Sequence, residues 1–482
     1  MSADEEPTAG ARPRVLIPIT IHFAVRYAVR TGLAARLAEA CEPVLALTWE
    51  DDDLRAQLEA QGHEVVRLPD PVVSIRARHL LALLEVHLVR RMKSPTTPID
   101  YRRRSWDWTT RKRVRRGYER FKLRLEAQVP GNEAKVAKEL HDNLDAETNI
   151  GEYVAFLRDL RIDAIVSVTP FVAQEEVVLL AAERLRLPRC TSVLSFDNIT
   201  TRPPLPVAFD RYLVWNRFME AELLRGYPSV TADQITLVGP AQFDFYREPN
   251  LVVDEALWRE RLGIPAGAPT VLYGAGVVGI APWETQYIGH LIAGIDSGEL
   301  PADLRIVLRR HPLDTPDRWE PFVDHPAVAW DDPGRLGTTK LRPGQVDFDE
   351  SAIVGLCSSL AHTDVHASAS STMTLDGACF DKPQIGPAYS VTGPKQFDAY
   401  ARALYDREHF LPIVASGGLE LVHSPAELVA AVKRLLADPD SQRPGRERML
   451  VDMCTFTDGG NTARVAAGIR EFLTNVVAPA ER

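Results

Sequence analysis

The second half of the chain contains a loop that is rich in hydroxyl side chains. A predicted strand, Thr363–Ala367, leads into Ser368-Ala-Ser-Ser-Thr-Met-Thr374 and then into a predicted helix over Leu375–Phe380. At such a junction, hydroxyls and the free N–H groups of the first helical turn can surround an anion. Five hydroxyl residues in seven exceed what a single N-cap requires. The sequence therefore predicts a phosphate site that includes Ser368, Ser370, Ser371 and Thr372.

A group of basic residues follows the predicted strand Arg305–Leu308. It is the run Arg309-Arg310-His311-Pro312. Because the carboxyl ends of parallel strands open onto the same crevice, we expect these side chains to face the hydroxyl-rich loop. Arg309, Arg310 and His311 could then neutralise a diphosphate or a leaving nucleotide. The alternative is a solvated basic corner that binds no ligand.

A glycine-rich run, Gly274-Ala-Gly276-Val-Val-Gly279, follows the predicted strand Thr270–Tyr273 and matches the dinucleotide pattern G-x-G-x-x-G. Pro282 and Trp283 interrupt the helix that this pattern requires, and the next strand ends in basic residues instead of an acidic one. We therefore interpret Gly274 and Gly276 as a close-approach loop that faces the interdomain cleft and contacts the donor. An NADP site, with Arg309 or Arg310 on the 2′-phosphate, is the alternative.

His22 follows the first predicted strand and is a candidate general base. A neutral imidazole at the carboxyl end of a strand can accept a proton from an acceptor hydroxyl. A surface histidine without a role is the alternative. Glu175 and Glu176, which open a helix after Pro170, are rival bases, although acidic residues are also favoured at helix N-termini for electrostatic reasons.

The segment from Arg90 to Arg124 is strongly basic. It has fourteen Lys and Arg against three acidic residues, a formal charge of +11, which leaves −21 for the rest of the chain. Interleaved Trp and Tyr residues suit an anionic membrane surface or a polyanionic acceptor. RNA is an alternative, although no RNA-reading motif accompanies the segment, and so is a solvated helical hairpin that pairs with the acidic remainder. The candidate acceptor or membrane patch consists of Arg102, Arg103, Arg104, Trp106, Trp108 and Arg113.

Alternating strands and helices must position these groups. Apolar strands and helices at helical period predict a parallel, doubly wound sheet in each half of the chain. The fold class is therefore α/β, with two Rossmann-like domains that face each other across a cleft, where a ligand would bind. The predicted units are a disordered tail (1–13), an N-terminal acceptor domain (14–240) with a basic helical insertion (74–150), a linker (241–255) and a C-terminal nucleotide-donor domain (256–482).

Composition narrows the class of protein. The 482 residues are 45% hydrophobic and 25% charged, as in globular proteins, and no run of about 18 uncharged apolar residues occurs. The first residues lack the features of a signal peptide. Five widely separated cysteines favour buried thiols in a reducing cytoplasm over a disulfide framework or a zinc site. The net charge of −10 argues against general nucleic-acid binding.

The chain resembles glycosyltransferases of the GT-B fold, and most closely the bacterial surface-polysaccharide transferases that include the CDP-glycerol glycerophosphotransferase-like group. The matching residues are His311-Pro312, Ser370-Ser371 and Asp381-Lys382-Pro383. Two later segments, 416–428 and 457–464, are also similar to that group. The resemblance covers about Thr270 to Phe472. In the first half it depends on the strand–helix rhythm and His22. Ala367-Ser-Ala369 replaces the acidic residue that usually precedes the serines.

The resemblance implies a metal-independent glycosyltransferase without a cofactor. Its donor would be a UDP-, CDP- or CMP-linked sugar or similar group, and its acceptor a hydroxyl of a glycan or lipid-linked molecule in surface-polysaccharide or glycoconjugate synthesis. Asp376 would hold the ribose hydroxyls, and His22 and His311 would be catalytic. We expect a cytoplasmic protein, peripheral at the inner face of the membrane, with no specific nucleic-acid partner. A sugar-nucleotide epimerase and a non-catalytic docking module are the alternatives.

Overall fold

Two parallel β-sheets, of seven and six strands, form the framework of the molecule. The computed structural model describes residues 12–72, 74–142, 148–311, 314, 316–331 and 350–476. Pro312 and residues 1–11 of the predicted tail lie outside the described residues. The strands are short apolar runs, and helices cover both faces of each sheet, as parallel sheets require. The fold is the α/β class predicted from the sequence, with two Rossmann-like halves.

The first sheet has the strand order β3-β2-β1-β4-β5-β6-β7. The chain moves outward from β1 to β3 and then returns to β4 on the other side of β1, so the topological switch point lies between β1 and β4. Val15 pairs with Pro43 of β2 and with Ala164 of β4. The strands are β1 (Arg14–Ile19), β2 (Glu42–Leu47), β3 (Glu64–Arg67), β4 (Ala164–Ser167), β5 (Arg189–Ser192), β6 (Arg211–Val214) and β7 (Ile235–Leu237).

The second sheet has the order β10-β9-β8-β11-β12-β13, with its switch point between β8 and β11. Val271 of β8 pairs with Ile306 of β9 and with Val365 of β11. The sequence pattern predicts the first five of these strands and misses the sixth. The strands are β8 (Thr270–Gly274), β9 (Arg305–Arg309), β10 (Val328–Trp330), β11 (Val365–Ser368), β12 (Gln384–Pro387) and β13 (Glu420–Val422).

The α-helices of the described residues connect the strands and cover the sheets. They are α1 (His22–Val25), α2 (Leu33–Leu37), α3 (Asp52–Ala60), α4 (Ile75–Met92), α5 (Thr96–Arg104), α6 (Thr110–Glu126), α7 (Asn132–Asp142), α8 (Ile150–Asp159), α9 (Ala173–Arg184), α10 (Asn198–Thr201), α11 (Arg217–Gly226), α12 (Glu255–Leu262), α13 (Thr285–Asp296), α14 (Glu350–His362), α15 (Met373–Cys379), α16 (Lys395–Ala403), α17 (Leu411–Ala415), α18 (Pro425–Ala437), α19 (Arg443–Cys454) and α20 (Asn461–Val476).

The segment after β1 is more broken than its helical periodicity predicts. The apolar residues between Val25 and Ala40 recur at spacings of three and four, which predicts helix throughout. Instead, α1 continues into a π-helical turn, Arg26–Arg30, and α2 begins only after Gly32. Gly32 has φ = 77°, a left-handed conformation that glycine adopts without steric cost. The Thr31 hydroxyl donates to the Tyr27 carbonyl, which also competes with regular helix hydrogen bonds.

The basic insertion forms helices α4 to α7 and contacts both halves of the molecule. Helix α4 packs its apolar face, including Leu83 and Leu88, against the first half. Helix α5 reaches the second half, where Asp100 forms a buried ion pair with Arg407 at 2.8 Å. The backbone N–H of Glu408 donates to the Thr96 hydroxyl at 3.0 Å. The insertion therefore bridges the two halves.

The last helix returns to the first sheet. Val465, Ile469 and Phe472 of α20 belong to the same buried cluster as Val15 and Ile17 of β1. The sequence analysis assigned residues 256–482 to one C-terminal domain, but α20 packs on the other half. Helix α20 packs there because its apolar face covers the side of the first sheet next to α2, which would otherwise be exposed to solvent.

Candidate functional site

A cleft with a cavity of about 280 Å³ lies where the switch points of the two sheets face each other. Its walls come from the loops that follow strands of both sheets. Aromatic and apolar side chains form part of the wall, and polar groups from both halves converge on the same space. The apolar part includes Phe171, Leu194, Trp215, Phe243 and Met373. An apolar cleft with a small number of convergent polar groups is typical of a small-molecule site.

The basic run after β9 lies in this wall, as predicted, but its three side chains are not equivalent. Arg309 donates to the carboxylate of Asp331 at 2.7 Å, and both side chains are buried. Arg310 and His311 also line the cleft. Burial lowers the pKa of His311 to about 4, against an opposing effect of Asp314. His311 is therefore a neutral imidazole near pH 7, so it would supply a hydrogen bond instead of the expected positive charge.

The hydroxyl-rich loop is divided by the direction of its side chains. Ser371 and Thr372 line the cleft. The Ser368 hydroxyl instead bonds with the Thr374 hydroxyl at 3.3 Å, inside the core. The Ser370 hydroxyl donates to the Leu404 carbonyl at 3.1 Å, away from the cleft. Only two of the four predicted phosphate ligands therefore reach the cavity.

The glycine-rich loop approaches the cleft through Ala275, which lines it. A Cβ on Gly274 would lie 2.5 Å from the Met373 sulfur, so a larger residue there would push aside the flexible end of the Met373 side chain. The Gly276 N–H donates to both carboxylate oxygens of Glu284, at 2.9 and 3.1 Å. Burial raises the pKa of Glu284 to about 7. Gly274 and Gly276 thus shape the loop, and neither lines the cavity.

Asp376 of α15 lies in the cavity wall and accepts a hydrogen bond from the Tyr246 hydroxyl at 2.9 Å. Burial raises its pKa to about 6, and nearby Arg26 limits the rise. Arg26 belongs to the π-helical turn of the first half, and it also lines the cleft. A carboxyl group of one half and a guanidinium of the other therefore face the same space.

His22, the predicted general base, does not line the cavity. Its neighbours Ile21 and Phe23 do. The His22 side chain is only 4% exposed, and its ring stacks on Trp49 with the ring centroids 4.6 Å apart. The His22 side chain is thus absent from the cavity wall that the basic run and the hydroxyl-rich loop share.

Of the rival bases, Glu175 is buried behind the cleft. Thr20, Ser167 and Thr169 donate hydroxyl hydrogen bonds to its carboxylate. Burial raises the pKa of Glu175 to about 7, although these hydrogen bonds oppose the rise. Burial likewise raises the pKa of Glu176 to about 7. Of this cluster only Thr169 reaches the cavity wall.

A group that the sequence analysis missed follows β5. Ser195, Asp197, Asn198 and Arg202 all line the cleft. Burial acts to raise the pKa of Asp197, but His409, the Ser195 hydroxyl at 2.5 Å and Arg202 outweigh it, and the pKa lies below its ordinary value. Asp197 is thus an ionised carboxylate at the cavity wall. The sequence does contain a signal for this group, because the polar residues Asp197 and Asn198 closely follow an apparent strand at 191–195.

The predicted acceptor or membrane patch is mostly turned toward the second half. Trp106 packs against the rings of Trp283, Phe397 and Tyr400. Arg103 donates to the Gly279 carbonyl at 2.6 Å. Arg102, Trp106 and Arg113 line a cavity of about 400 Å³ against α16, whereas Arg104 and Trp108 line a different and larger one.

That larger cavity, of about 840 Å³, lies between α4, α5, α6 and α10. Two aromatic rings in its wall carry cations above them: Arg120 lies 3.8 Å from the centre of the Tyr101 ring, and Lys112 lies 5.5 Å from that of Trp108. Arg202 lines both this cavity and the cleft. Its basic side chains are Arg90, Arg104, Lys112, Arg116, Arg120, Arg124 and Arg202. We refer to it as the basic cavity.

Two features are absent from the described part of the chain. In it, no three His, Cys, Asp or Glu side chains are grouped so that they could hold a metal ion. None of its helices combines the length and the hydropathy that crossing a bilayer requires.

Comparison with known proteins shows likeness at the level of structure. No family model and no curated protein matches the chain. MnaA from S. aureus, in a co-structure with UDP, overlays with a TM-score of 0.55 at 12% identity, covering 96% of this chain and 98% of that one. UDP-GlcNAc 2-epimerase from Neisseria meningitidis, bound to UDP-GlcNAc, gives 0.54 at 10% identity, covering 95% and 100%. At these identities the chain shares with them the fold of two facing Rossmann-like halves.

Proposed function

We propose that this protein transfers a sugar, or a similar group, from a nucleotide-activated donor to an acceptor hydroxyl. The observation that carries the proposal is a pair of adjoining cavities that share Arg202. A transferase needs room for two substrates whose reacting atoms meet. The cleft offers the groups that a nucleotide diphosphate requires, and the basic cavity offers room for a second, anionic molecule.

The donor diphosphate would contact Arg310, His311, Ser371 and Thr372, which line one side of the cleft. As the bond to the leaving phosphate breaks, negative charge grows on its oxygens. Donors that are already in place stabilise that charge without reorganising. Asp376 would accept hydrogen bonds from the ribose hydroxyls. These groups would contact only the phosphates and the ribose, so the expectation of uracil or cytosine as the base comes from the resemblance alone.

Asp197 is our candidate for the general base, because it lines the cleft, whereas His22 is stacked on Trp49. Its lowered pKa keeps the carboxylate ionised but makes it a weaker base than an ordinary aspartate. Its carboxylate would take the proton from the acceptor hydroxyl as that oxygen bonds to the transferred carbon. The bond between this carbon and the phosphate oxygen breaks at the same time, and its electron pair stays on the phosphate. A single displacement of this kind inverts the carbon centre.

The acceptor would lie in the basic cavity, with its hydroxyl pointing toward Arg202 and the cleft. Seven Lys and Arg side chains in the wall favour an acceptor that bears phosphate or carboxylate groups. A glycan or lipid-linked acceptor in surface-polysaccharide or glycoconjugate synthesis has this chemistry. Such a role would place the protein in the cytoplasm.

Ligand binding is the first test. A nucleotide that binds only the folded state at 100 times its Kd stabilises that state by about 2.7 kcal/mol. We expect UDP, CDP or CMP to raise the melting temperature, and GDP and ADP to do so less. Ser371→Ala should weaken the effect, whereas Ser368→Ala, whose hydroxyl is turned into the core, should retain it. Equal effects of the two variants would contradict the donor site.

Turnover is the second test. Loss of a donor that stabilises the leaving phosphate typically lowers turnover by about 10²-fold or more, and we expect this for His311→Ala. Full turnover in that variant would remove His311 from the site.

A sugar-nucleotide epimerase is the second candidate, since the cleft alone could hold its single substrate. Incubation of the nucleotide sugar without any acceptor separates the two. An isomer of the donor would favour the epimerase, and product formation only with an added acceptor would favour the transferase. In the epimerase, substitution of Arg104 or Arg124 in the basic cavity would leave the rate unchanged.

A further inference from the structure

Helix α6 presents an apolar stripe to solvent. None of its 17 residues is buried. Val114, Tyr118, Phe121 and Leu125 are 68%, 61%, 58% and 48% exposed. Their spacing of four, three and four residues puts them in one row on the helix. Among the described residues this is a rare arrangement, because large apolar side chains are normally exposed singly.

The stripe faces away from the body of the protein. Lys112, Arg116 and Arg120 on the same helix line the basic cavity and thus mark the inner face. At 3.6 residues per turn, the centre of the stripe is rotated from the centre of that face by roughly 170° around the helix axis. No part of the described chain covers the stripe.

Basic residues flank the stripe on both sides. On the helical wheel, Arg111, Arg115 and Lys122 lie along one edge, and Arg113 and Arg124 along the other. The helix has eight Lys and Arg against two Glu. Glu119 is engaged by Arg116 at 3.1 Å, and Glu126 by His79 at 3.1 Å. An apolar row between two cationic borders is the pattern of a helix that lies in the plane of a bilayer surface.

We propose that α6 docks the protein on an anionic lipid bilayer. The stripe enters the boundary between headgroups and acyl chains, and the flanking Lys and Arg contact lipid phosphates. Charge complementarity selects this partner. The whole chain has a net charge of −10, so attraction to an anionic surface must come from a local basic element, and α6 supplies one.

The docking surface shares only Arg113 with the patch that the sequence analysis assigned. Trp106 and Arg103 are occupied by contacts with the second half, so they are not free to meet a bilayer. Docking through α6 is independent of the donor chemistry in the cleft, and it would hold even if the proposed transfer reaction were wrong. The basic cavity, which lies on the inner side of α6, would then be close to the headgroup layer.

The test is co-sedimentation of the full chain with vesicles of stated composition. Vesicles of equal parts phosphatidylcholine and phosphatidylglycerol should bind the protein, and pure phosphatidylcholine vesicles should not. Replacing the four stripe residues by serine should weaken binding by about 100-fold or more, because their burial supplies most of the favourable free energy. Replacing Arg111, Arg115 and Lys122 by Gln should remove the preference for phosphatidylglycerol.

A matched control replaces four apolar residues elsewhere that are similarly exposed, Leu257, Val323, Val391 and Val451, by serine. This variant should bind vesicles like the unmodified chain, and melting curves should show that both serine variants are folded. Equal binding by the two variants, or no binding of the unmodified chain to anionic vesicles, would overturn the proposal. Two other results would also overturn it. One is a dimer of the unmodified chain that the stripe variant no longer forms, and the other is RNA that competes with the vesicles for the protein.

Discussion

Substitution of Glu175 by Gln tests how burial controls charge behind the cleft. The carboxyl group is buried among the hydroxyls of Thr20, Ser167 and Thr169. Burial raises its pKa to about 7, from an ordinary value of 4.5. Gln keeps the shape and the oxygen that accepts these hydrogen bonds, but it cannot ionise. The hydroxyls can rotate to accept from its amide group.

The size and sign of the effect follow from proton binding. Between pH 4.5 and 7 the folded state holds a proton on Glu175 that the unfolded state has lost. Stability from this group is therefore fully present below pH 4.5, and it is lost as the pH rises through about 7. A pKa that moves from 4.5 to about 7 corresponds to at most about 3 kcal/mol.

Urea denaturation at a series of pH values from 5 to 8 measures this effect. Relative to the unmodified chain, Glu175→Gln should gain stability progressively over this range, by up to about 3 kcal/mol. Glu447→Gln, at an exposed position on α19, is the control and should follow the unmodified chain at every pH. If the Glu175→Gln curve ran parallel to that of the unmodified chain, burial would not control the ionisation of this carboxyl group.

Three further predictions follow from packing and from the cleft. Gly445→Ala should lower the unfolding free energy by about 3 kcal/mol, because its Cβ would lie 2.3 Å from the Gly417 backbone. Gly289→Ala, with nothing within 4 Å, should instead be neutral or stabilise α13 slightly in the same denaturation assay. Trp106→Ala should cost about 2 kcal/mol, and Trp106→Phe less, because the ring joins the two halves. Donor affinity, measured by calorimetry, should rise as the pH passes through about 6 and Asp376 ionises, and Asp376→Asn should remove this dependence.

Most strands were predictable because they are short apolar runs between turn or helix residues. Parallel strands are buried on both faces, so they need no alternating pattern, and β1 and β8 are clear examples. Strand β13 (Glu420–Val422) was missed because it has only three residues and pairs at the sheet edge. The break in the first helix was missed because apolar spacing gives no warning of the left-handed turn at Gly32.

The candidate site was predictable at the level of loops but not of side chains. Polar residues after β9 and β11 do meet at the cleft, as the rule for strand ends implies. The sequence could not show that Ser370 turns toward Leu404, or that Arg309 is held by Asp331. These partners are distant in sequence or lie on neighbouring loops, so only the packed structure brings them together. The sequence also could not show that Arg202 lines both the cleft and the basic cavity, because the walls of these cavities come from different parts of the chain.

The return of α20 to the first sheet means that the polypeptide passes between the halves twice, once near Pro240 and once near Thr455. At the second passage the Thr455 hydroxyl donates to the Trp215 carbonyl at 2.8 Å, and the Asn216 amide donates to the Met453 carbonyl at 2.7 Å. The two crossings lie next to each other, because the Asn461 amide donates to the Pro240 carbonyl at 3.3 Å. A chain truncated before α20 would lose the second connection between the halves, and it would also expose the apolar side of the first sheet. We therefore expect that neither half would fold stably if it were expressed without the other.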